Sequence, residues 1–147
     1  MKNNELEKFL DLNTDHYFKK TKHIILKNKD IQVTYAVFMR RPVLFCPSLA
    51  IKWLRKIEKI RNTKFYIKMC YKEGEWVGAG EPLMFLSGKF SQLVELETTY
   101  LQLIGPASVA AYNAFKMCTD LPNTAFMAMD ARHCAGADMH ELMAYGA

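Results

Sequence analysis

The spacing of the apolar residues changes along the chain, and this change constrains the fold more than any other feature. Residues 32–40 (QVTYAVFMR) are rich in β-branched and aromatic side chains and end before Pro42, which favours a strand. After Pro47 the apolar residues instead recur three and four positions apart, as on one face of a helix: Leu49, Trp53, Leu54, Ile57 and Ile60. The two periods together predict a fold that mixes helices and strands.

Further elements are expected in the first half of the chain. Asn13 and Thr14 are typical of a helix start and predict a helix over residues 15–27, and residues 65–70 predict a strand. We interpret residues 73–87 (EGEWVGAGEPLMFLS) as a strand, a turn and a second strand. Gly and Pro residues place the reversal, so the two strands are expected to face each other.

The helical period returns after Ser91 and continues to Gly105-Pro106. Proline is tolerated in the first turn of a helix, so either a second helix or a kinked continuation is expected through residues 107–114. The apolar run 124–129 (TAFMAM) predicts a buried strand, and residues 138–147 predict another helix.

These elements predict an α+β fold in two parts. The first part covers residues 1–122 and includes a hairpin at 73–88 and helices within 91–118. The second part, residues 123–147, begins the strand-then-helix alternation of an α/β barrel, and the chain stops inside that helix. We therefore expect some of what the protein needs to lie outside these residues.

The composition is that of a folded protein without a membrane segment. Half of the 147 residues are hydrophobic, with only 7 Gly and 5 Pro, which is enough apolar surface for one domain or one domain and the start of another. No apolar run approaches the roughly 20 residues of a membrane helix, and no signal peptide is apparent, so we expect a cytoplasmic protein. Four cysteines without a CxxC pair are expected to be free thiols.

The charges are distributed unevenly. Residues 1–72 contain 17 Lys and Arg against 6 Asp and Glu, whereas residues 73–147 contain 3 against 9. The basic clusters KKTKHIILKNK and KWLRKIEKIRNTK could bind nucleic acid, surround an anionic substrate or form solvated helix faces. We favour solvated faces, because the basic residues alternate with apolar ones at helical spacing and no nucleic-acid motif accompanies them.

Several residues could contact a ligand. Arg132 directly follows the predicted strand 124–129, where open α/β sheets and barrels place ligand-binding residues, although it could instead pair with Asp130 or Asp138. Arg40 and Arg41, at a strand end, could hold a phosphate or carboxylate, or could simply cap the strand.

Two other groups carry weaker signals. Asp15 and Tyr17 lie at a helix start, where backbone N–H groups favour anions, and Asp15 could be no more than a helix cap. His133, Cys134 and His140 match no ordinary metal-binding spacing, so no metal site is predicted.

Five segments in order resemble the nicotinate phosphoribosyltransferase family. They are TDHYFKKT (14–21), VFMRRP (37–42), EGEWVGAGEPLMFLSG (73–88), ELETTYLQLIGPASVAAYNA (95–114) and AMDARH (128–133). The EG…EP segment followed by the ET…L helix is the most specific part. The resemblance covers nearly the whole chain, but only about the amino-terminal third of a typical family member.

The resemblance implies a reaction and an architecture. Family members join nicotinate to phosphoribosyl pyrophosphate, coupled to ATP hydrolysis, and form nicotinate mononucleotide and pyrophosphate in NAD salvage. The resemblance implies an amino-terminal α+β domain of the type II phosphoribosyltransferases, followed by an α/β barrel. The first strand and helix of that barrel would be present in this chain. Active sites form between two head-to-tail subunits, so a homodimer is expected, with no nucleic acid and no membrane as partners.

The resemblance also implies roles for individual residues. Asp15 and Tyr17 would reach the pyridine site of the partner subunit, and Arg40 would contact a phosphate of the phosphoribosyl donor. Arg132 would face the nicotinate carboxylate or its ring. Met129 stands where other members often carry an aromatic residue that stacks on the pyridine.

The same resemblance places the catalytic machinery elsewhere. The phosphorylated histidine, the later barrel strands and their Gly-rich phosphate loops would lie beyond Ala147, so we expect no catalytic residue within this chain. ATP and Mg would belong to the complete enzyme. A truncated or split enzyme, inactive alone, is the expectation.

Two alternatives and one ambiguity stay open. EGEWVGAGEPLMF also resembles half of a biotinyl or lipoyl carrier module, although Lys68 and Lys72 lie too close to it for the modified lysine. A basic nucleic-acid-binding domain is suggested only by the charge of the first half. The sequence does not choose firmly among nicotinate, nicotinamide and quinolinate.

Overall fold

The structure is a computed structural model that describes residues 3–129 and 134–147, and it is an α+β fold, as predicted. The helices of this part of the chain are α1 (Asn3–Asn13), α2 (His16–Lys27), α3 (Ser48–Arg61), α4 (Phe90–Leu93), α5 (Glu97–Asp120) and α6 (Ala137–Gly146). The strands are β1 (Gln32–Phe38), β2 (Val43–Leu44), β3 (Tyr66–Met69), β4 (Trp76–Val77) and β5 (Pro82–Lys89). The helices predicted over 15–27 and 138–147, and the strands predicted over 32–40 and 65–70, are confirmed to within a few residues at their ends.

The main sheet is antiparallel with β5 in the centre, in the order β1-β5-β3. Leu83, Met84 and Leu86 of β5 are fully buried, whereas alternate residues of β1 are exposed. This alternation is the period-two pattern that a sheet with one face on the core requires. The sheet therefore has an inner face packed on the core and an outer face toward solvent.

The two strands of residues 73–87 are present, but they do not face each other as expected. β4 pairs with β2 in a separate two-stranded sheet, and β5 joins β1 and β3. The turn between them has Gly80 at φ +80°, a left-handed conformation that glycine adopts without strain. Because partner choice depends on long-range packing, the local turn signal identified the reversal without identifying the pairing.

Helix α3 packs most of its predicted apolar stripe on the core, whereas Leu49 is only half-buried and lies outside the core cluster. Leu54 and Ile57 are fully buried, and Trp53 and Ile60 are partly buried against the same cluster. The cluster also takes residues from both sheets and from α1, α4 and α5, including Leu6, Phe45, Leu86, Leu93 and Tyr100. One core therefore joins the elements from α1 to the first half of α5.

Helix α5 settles the alternative at Gly105-Pro106, because a single helix runs through Pro106. Its Ala107 and Ala111 are buried against Cys46 and Leu44, and α6 lies along the same helix. A Cβ added at Gly146 of α6 would collide with the backbone of Ala107. The small residues of α5 thus allow α6 to approach its backbone closely.

The buried strand predicted over 124–129 is wrong. These residues form no strand, and all of them are exposed, with Met127 at 81%. An apolar run becomes a buried strand only where a sheet is available to pair with it, and none reaches this segment in the described part of the chain. Asp130, Arg132 and His133 lie outside the described residues, and the division at residue 122 stays a prediction.

A charged cluster joins the two amino-terminal helices to the body. Glu95 is buried and accepts hydrogen bonds from Lys22 Nζ at 2.6 and 2.7 Å and from the Arg61 guanidinium. Arg61 also donates to Glu7 Oε1 at 3.0 Å, and the Thr14 hydroxyl donates to the Glu95 carbonyl at 2.9 Å. Residues of α1, α2 and α3 therefore meet around one carboxylate, which we call the Glu95 cluster.

Two further observations concern the whole described chain. Cys46, Cys70, Cys118 and Cys134 are all free thiols, as expected from their spacing. None of the described helices has both the length and the apolar character that a membrane span requires.

Candidate functional site

Asp15 occupies the position before α2, but its side chain does not cap that helix. Its carboxylate instead accepts a hydrogen bond from the Thr98 hydroxyl at 3.1 Å, across to the first turn of α5. The interpretation of Asp15 as a simple helix cap is therefore wrong. The carboxylate is exposed and held at one oxygen.

Tyr17 lies on the first turn of α2 and is 59% exposed. Its ring packs beside that of Phe18, with 4.1 Å between the centroids. Loss of hydration around the hydroxyl, and then the negative charges of Asp15 and Glu97, raise the pKa of Tyr17. Tyr17 is therefore a neutral phenol at physiological pH, in the field of two carboxylates.

Arg40 follows the end of β1 and lines a cleft of about 320 Å³ between β1 and the start of α5. Glu97, Tyr35 and Tyr100 line the same cleft. The Arg40 side chain is exposed and makes no hydrogen bond or ion pair within residues 3–129 and 134–147. Its guanidinium fork is available for an oxyanion.

Arg41, the next residue, is engaged within the protein. It donates to Asn113 Oδ1 at 3.5 Å, and its guanidinium lies 5.9 Å from the centre of the Tyr112 ring. The paired arginines of the sequence are therefore not equivalent. Arg40 faces the cleft, whereas Arg41 contacts α5.

Glu97 is the acidic residue of the cleft, and it was not among the predicted site residues, although it belongs to the ET…L segment of the resemblance. It is half-buried, and partial burial followed by the charge of Asp15 raises its pKa. No hydrogen bond or ion pair to Glu97 is found in the described chain. Burial and Glu97 together raise the pKa of Tyr35 to about 12.

The structure thus brings three of the four predicted site residues into one region. Asp15 and Tyr17 lie in the electrostatic field of Glu97, and Glu97 shares the cleft with Arg40. Arg132 lies outside the described residues. Glu97 and Thr98 are the ET of the ET…L helix on which the resemblance partly rests, but the motif predicted no contact for either residue, because only the fold brings them to Asp15.

The arrangement can bind a ligand with groups of both kinds. A guanidinium matches phosphate or carboxylate oxygens, whereas ionised carboxylates accept hydrogen bonds and disfavour a second anion. Within the residues that the structure describes, no three acidic, histidine or cysteine side chains gather as a metal site would need. The cleft is therefore suited to recognise a polar organic ligand through charge and hydrogen bonding.

Comparison with known proteins identifies the domain. The sequence model of the family described as quinolinate phosphoribosyl transferase, N-terminal domain, matches residues 15–108, well over half of the chain. A comparison with curated proteins finds no match. The matched range contains Asp15, Tyr17, Arg40 and Glu97, and it also covers the segment on which the carrier-module alternative depends.

Solved structures show the same fold at low identity. A nicotinate-nucleotide pyrophosphorylase from Francisella tularensis is 16% identical with a TM-score of 0.64, covering 97% of this chain and 50% of its own. The human nicotinic acid phosphoribosyltransferase is 20% identical with a TM-score of 0.70, covering 86% and 32%. The nicotinate-nucleotide pyrophosphorylase from Pyrococcus furiosus is 21% identical with a TM-score of 0.61, covering 74% and 28%.

The chain therefore spans between 28% and 50% of the length of these three structures. These matches confirm the resemblance for the amino-terminal α+β domain of the type II phosphoribosyltransferases. They include both a quinolinate family model and a nicotinic acid phosphoribosyltransferase, so they establish the domain and not the pyridine substrate. With its family model matched from Asp15 to Ser108, the chain belongs to the family of quinolinate phosphoribosyl transferase N-terminal domains.

Proposed function

We propose that this chain is the amino-terminal part of an enzyme that joins nicotinate to phosphoribosyl pyrophosphate in NAD salvage. The observation that carries the proposal is the unpartnered Arg40 guanidinium in the cleft that also contains Glu97. A cation left without an internal partner suits an anionic substrate, and family membership supplies the reaction class.

Arg40 would bind a phosphate of the donor. A guanidinium forms two parallel hydrogen bonds to phosphate oxygens, and each hydrogen bond to a charged group contributes roughly 1.5–3 kcal/mol. Asp15 and Tyr17 would contact the pyridine of the partner subunit in a head-to-tail homodimer, as in the family that the sequence resembles.

The charge of the region supports nicotinate as the pyridine substrate. Quinolinate carries two carboxylates, and Asp15 and Glu97 would repel the second of them. Nicotinamide lacks the carboxylate for which a guanidinium fork is suited. We propose that Arg132 binds the single carboxylate of nicotinate.

Catalysis itself would require residues outside this chain. Phosphoribosyl transfer depends on cations and backbone donors placed around the leaving pyrophosphate. Arg40 and Arg132 alone cannot enclose it. We therefore assign ATP and Mg to the complete cytoplasmic enzyme and propose that this chain is inactive by itself.

The test compares two adjacent arginines in the complete protein that contains this chain. Nicotinate, nicotinamide and quinolinate are each supplied with phosphoribosyl pyrophosphate, and the mononucleotide and pyrophosphate are measured. Arg40→Ala is expected to raise KM for the donor about tenfold to a hundredfold, because a charge-assisted contact is lost. Arg41→Ala is the matched control, since it removes the same charge from a side chain already engaged with Asn113.

Three results would each contradict a different part of the proposal: the role of Arg40, the pyridine substrate and the reaction. Equal effects of Arg40→Ala and Arg41→Ala on KM would contradict the role of Arg40. Turnover of quinolinate with release of CO₂, and none of nicotinate, would contradict the substrate. Absence of any mononucleotide in the complete protein would overturn the reaction itself.

A further inference from the structure

Strand β3 has an open edge on the side of the sheet opposite to the Arg40 cleft. It pairs with β5 on one side only, and no other strand in residues 3–129 or 134–147 pairs with it. The Cys70 amide donates to the Leu83 carbonyl at 3.0 Å, and such bonds alternate along an antiparallel ladder. The backbone groups of Ile67 and Met69 therefore point away from β5, toward the open edge.

An apolar groove of about 540 Å³ runs between this edge and α3. Ile67 and Met69 stand opposite the buried Leu86 and Met84, so their side chains belong to the inner face of the sheet. Ile51 of α3 lines the groove from the other side. The groove is therefore a hydrophobic trough directly beside a row of unpaired backbone donors and acceptors.

The surroundings of the groove are basic. Lys52 and Lys72 lie on its rim, and Lys68 is exposed on the outer face of β3. None of these ammonium groups forms an ion pair within the part of the chain that the structure describes. Glu73 is the one carboxylate among the described residues that line the groove, and it accepts hydrogen bonds from the neutral hydroxyls of Ser48 and Tyr145. Three ammonium groups against this one carboxylate leave the net charge beside the edge positive.

We propose that β3 binds an extended acidic segment of a partner protein as an added strand. Open strand edges are templates for such pairing, in which backbone hydrogen bonds give affinity and alternate side chains give specificity. Residues of the added strand would point alternately into the apolar groove and toward Lys68, because side chains alternate along a strand. The segment that fits alternates apolar residues with Asp or Glu.

The probes are three seven-residue peptides added to the chain. The first alternates glutamate with valine, the second alternates lysine with valine, and the third has the composition of the first with its valines contiguous. We expect the first peptide alone to shift the amide resonances of residues 66–69 and to slow hydrogen exchange at the Ile67 and Met69 amides. The expected binding weakens with added salt, because the contacts are between exposed charges.

A pair of variants tests the charge argument. Lys68→Glu is expected to weaken binding of the glutamate peptide roughly three- to tenfold, in proportion to the energy of a cross-strand charge pair. Lys20→Glu makes the same change in net charge at an exposed position of α2 and is expected to leave binding unchanged. Circular dichroism checks that both variants keep the parent fold.

Several outcomes would overturn the proposal. They are equal binding of the glutamate and lysine peptides, Ile67 and Met69 amides already protected without peptide, and equal weakening by the two variants. A single-stranded oligonucleotide that displaces the glutamate peptide and shifts the same amides more strongly would make the surface a nucleic-acid site instead. Because the assay needs no transferase activity, its failure is independent of the proposed function.

Discussion

Glu95 lies just before α5 and Glu97 is its first residue, yet the surroundings of the two carboxylates differ completely. Glu95 is buried and accepts hydrogen bonds from Lys22 and Arg61. Glu97 faces a cleft without a partner in the described chain, beside a second carboxylate, Asp15. The charge of Glu95 is balanced by Lys22 and Arg61, whereas the charge of Glu97 has no counter-ion in the described chain.

Under the proposed function, the contrast is between charges that hold the fold and charges that recognise a substrate. Buried ions are tolerated only when they are paired and hydrogen-bonded, so the Glu95 cluster fixes where α1 and α2 lie. Asp15 directly precedes α2, and Tyr17 lies on its first turn. The side chains of Arg40 and Glu97 have no hydrogen-bond or ion-pair partner in the described chain. This arrangement is expected of groups that recognise a substrate.

The largest expected effect is on stability, from Glu95→Gln. Removing the carboxylate leaves Lys22 and the buried Arg61 without their shared partner, and breaking a buried pair in this way costs about 3–5 kcal/mol. Urea denaturation measures the loss, with Glu97→Gln as the matched control. A loss below about 1 kcal/mol would mean that the Glu95 cluster does not hold the fold.

The next effect is on substrate binding and concerns Arg132. If Arg132 faces the nicotinate carboxylate, Arg132→Ala loses a contact of roughly 1.5–3 kcal/mol, and Arg132→Lys keeps the charge but loses the fork. We expect KM for nicotinate in the complete enzyme to rise most in Arg132→Ala and less in Arg132→Lys, with little change for the donor. Equal effects on both substrates, together with a lower Tm, would indicate a structural ion pair.

A smaller effect is expected in the pH dependence of stability, from Glu97→Gln. The folded pKa of Glu97 is raised above its ordinary value of 4.5, so the folded state holds the proton more tightly than the unfolded state. Ionised Glu97 therefore costs stability above the folded pKa, and this cost disappears as the pH falls through that pKa. We expect Glu97→Gln to be more stable than the parent at pH 7 by less than about 1 kcal/mol, because Glu97 is partly solvated.

Denaturation of both proteins between pH 7 and pH 4 tests the sign. The gap in free energy of unfolding should close as the pH falls. A gap that widens toward acid pH would show that Glu97 is stabilised by an internal partner, which would remove the contrast with Glu95.

The smallest effect is expected from Thr98→Ala. The variant removes the hydroxyl that donates to Asp15, and an exposed hydrogen bond of this kind contributes about 0.5 kcal/mol. Denaturation should show a loss of that size, and nuclear magnetic resonance should show a changed side-chain signal at Asp15. Unchanged Asp15 resonances would mean that Thr98 does not orient the carboxylate.

Local periodicity was enough to predict much of the fold. The stripe from Leu49 to Ile60 predicted α3 and its buried face, because a helix repeats within its own sequence. The pairing of β2 with β4 could not be predicted, since strands of two residues have no period. The exposed segment 124–129 shows the converse, because its apolar pattern is local but burial requires a neighbour.

Candidate site residues could be proposed from the sequence where residue type is informative by itself. An arginine at a strand end and an aspartate at a helix start are recognisable from sequence, and Arg40 and Asp15 do lie in one region. What sequence could not provide is the difference between Arg40 and Arg41, or between Glu95 and Glu97. Those differences depend on Tyr112, Asn113, Lys22 and Arg61, which lie between 34 and 73 residues away along the chain from the groups that they contact.

The contact between Gly146 and the Ala107 backbone has a consequence for mutational tolerance. Every amino acid reached by a single nucleotide change from a glycine codon carries a Cβ, and a Cβ here collides with main-chain atoms that cannot move aside like a side chain. No conservative replacement therefore exists at this position. In a saturation scan for soluble, folded protein, residue 146 should be among the least permissive positions of α6, whereas its exposed neighbour Ala144 should accept most polar residues.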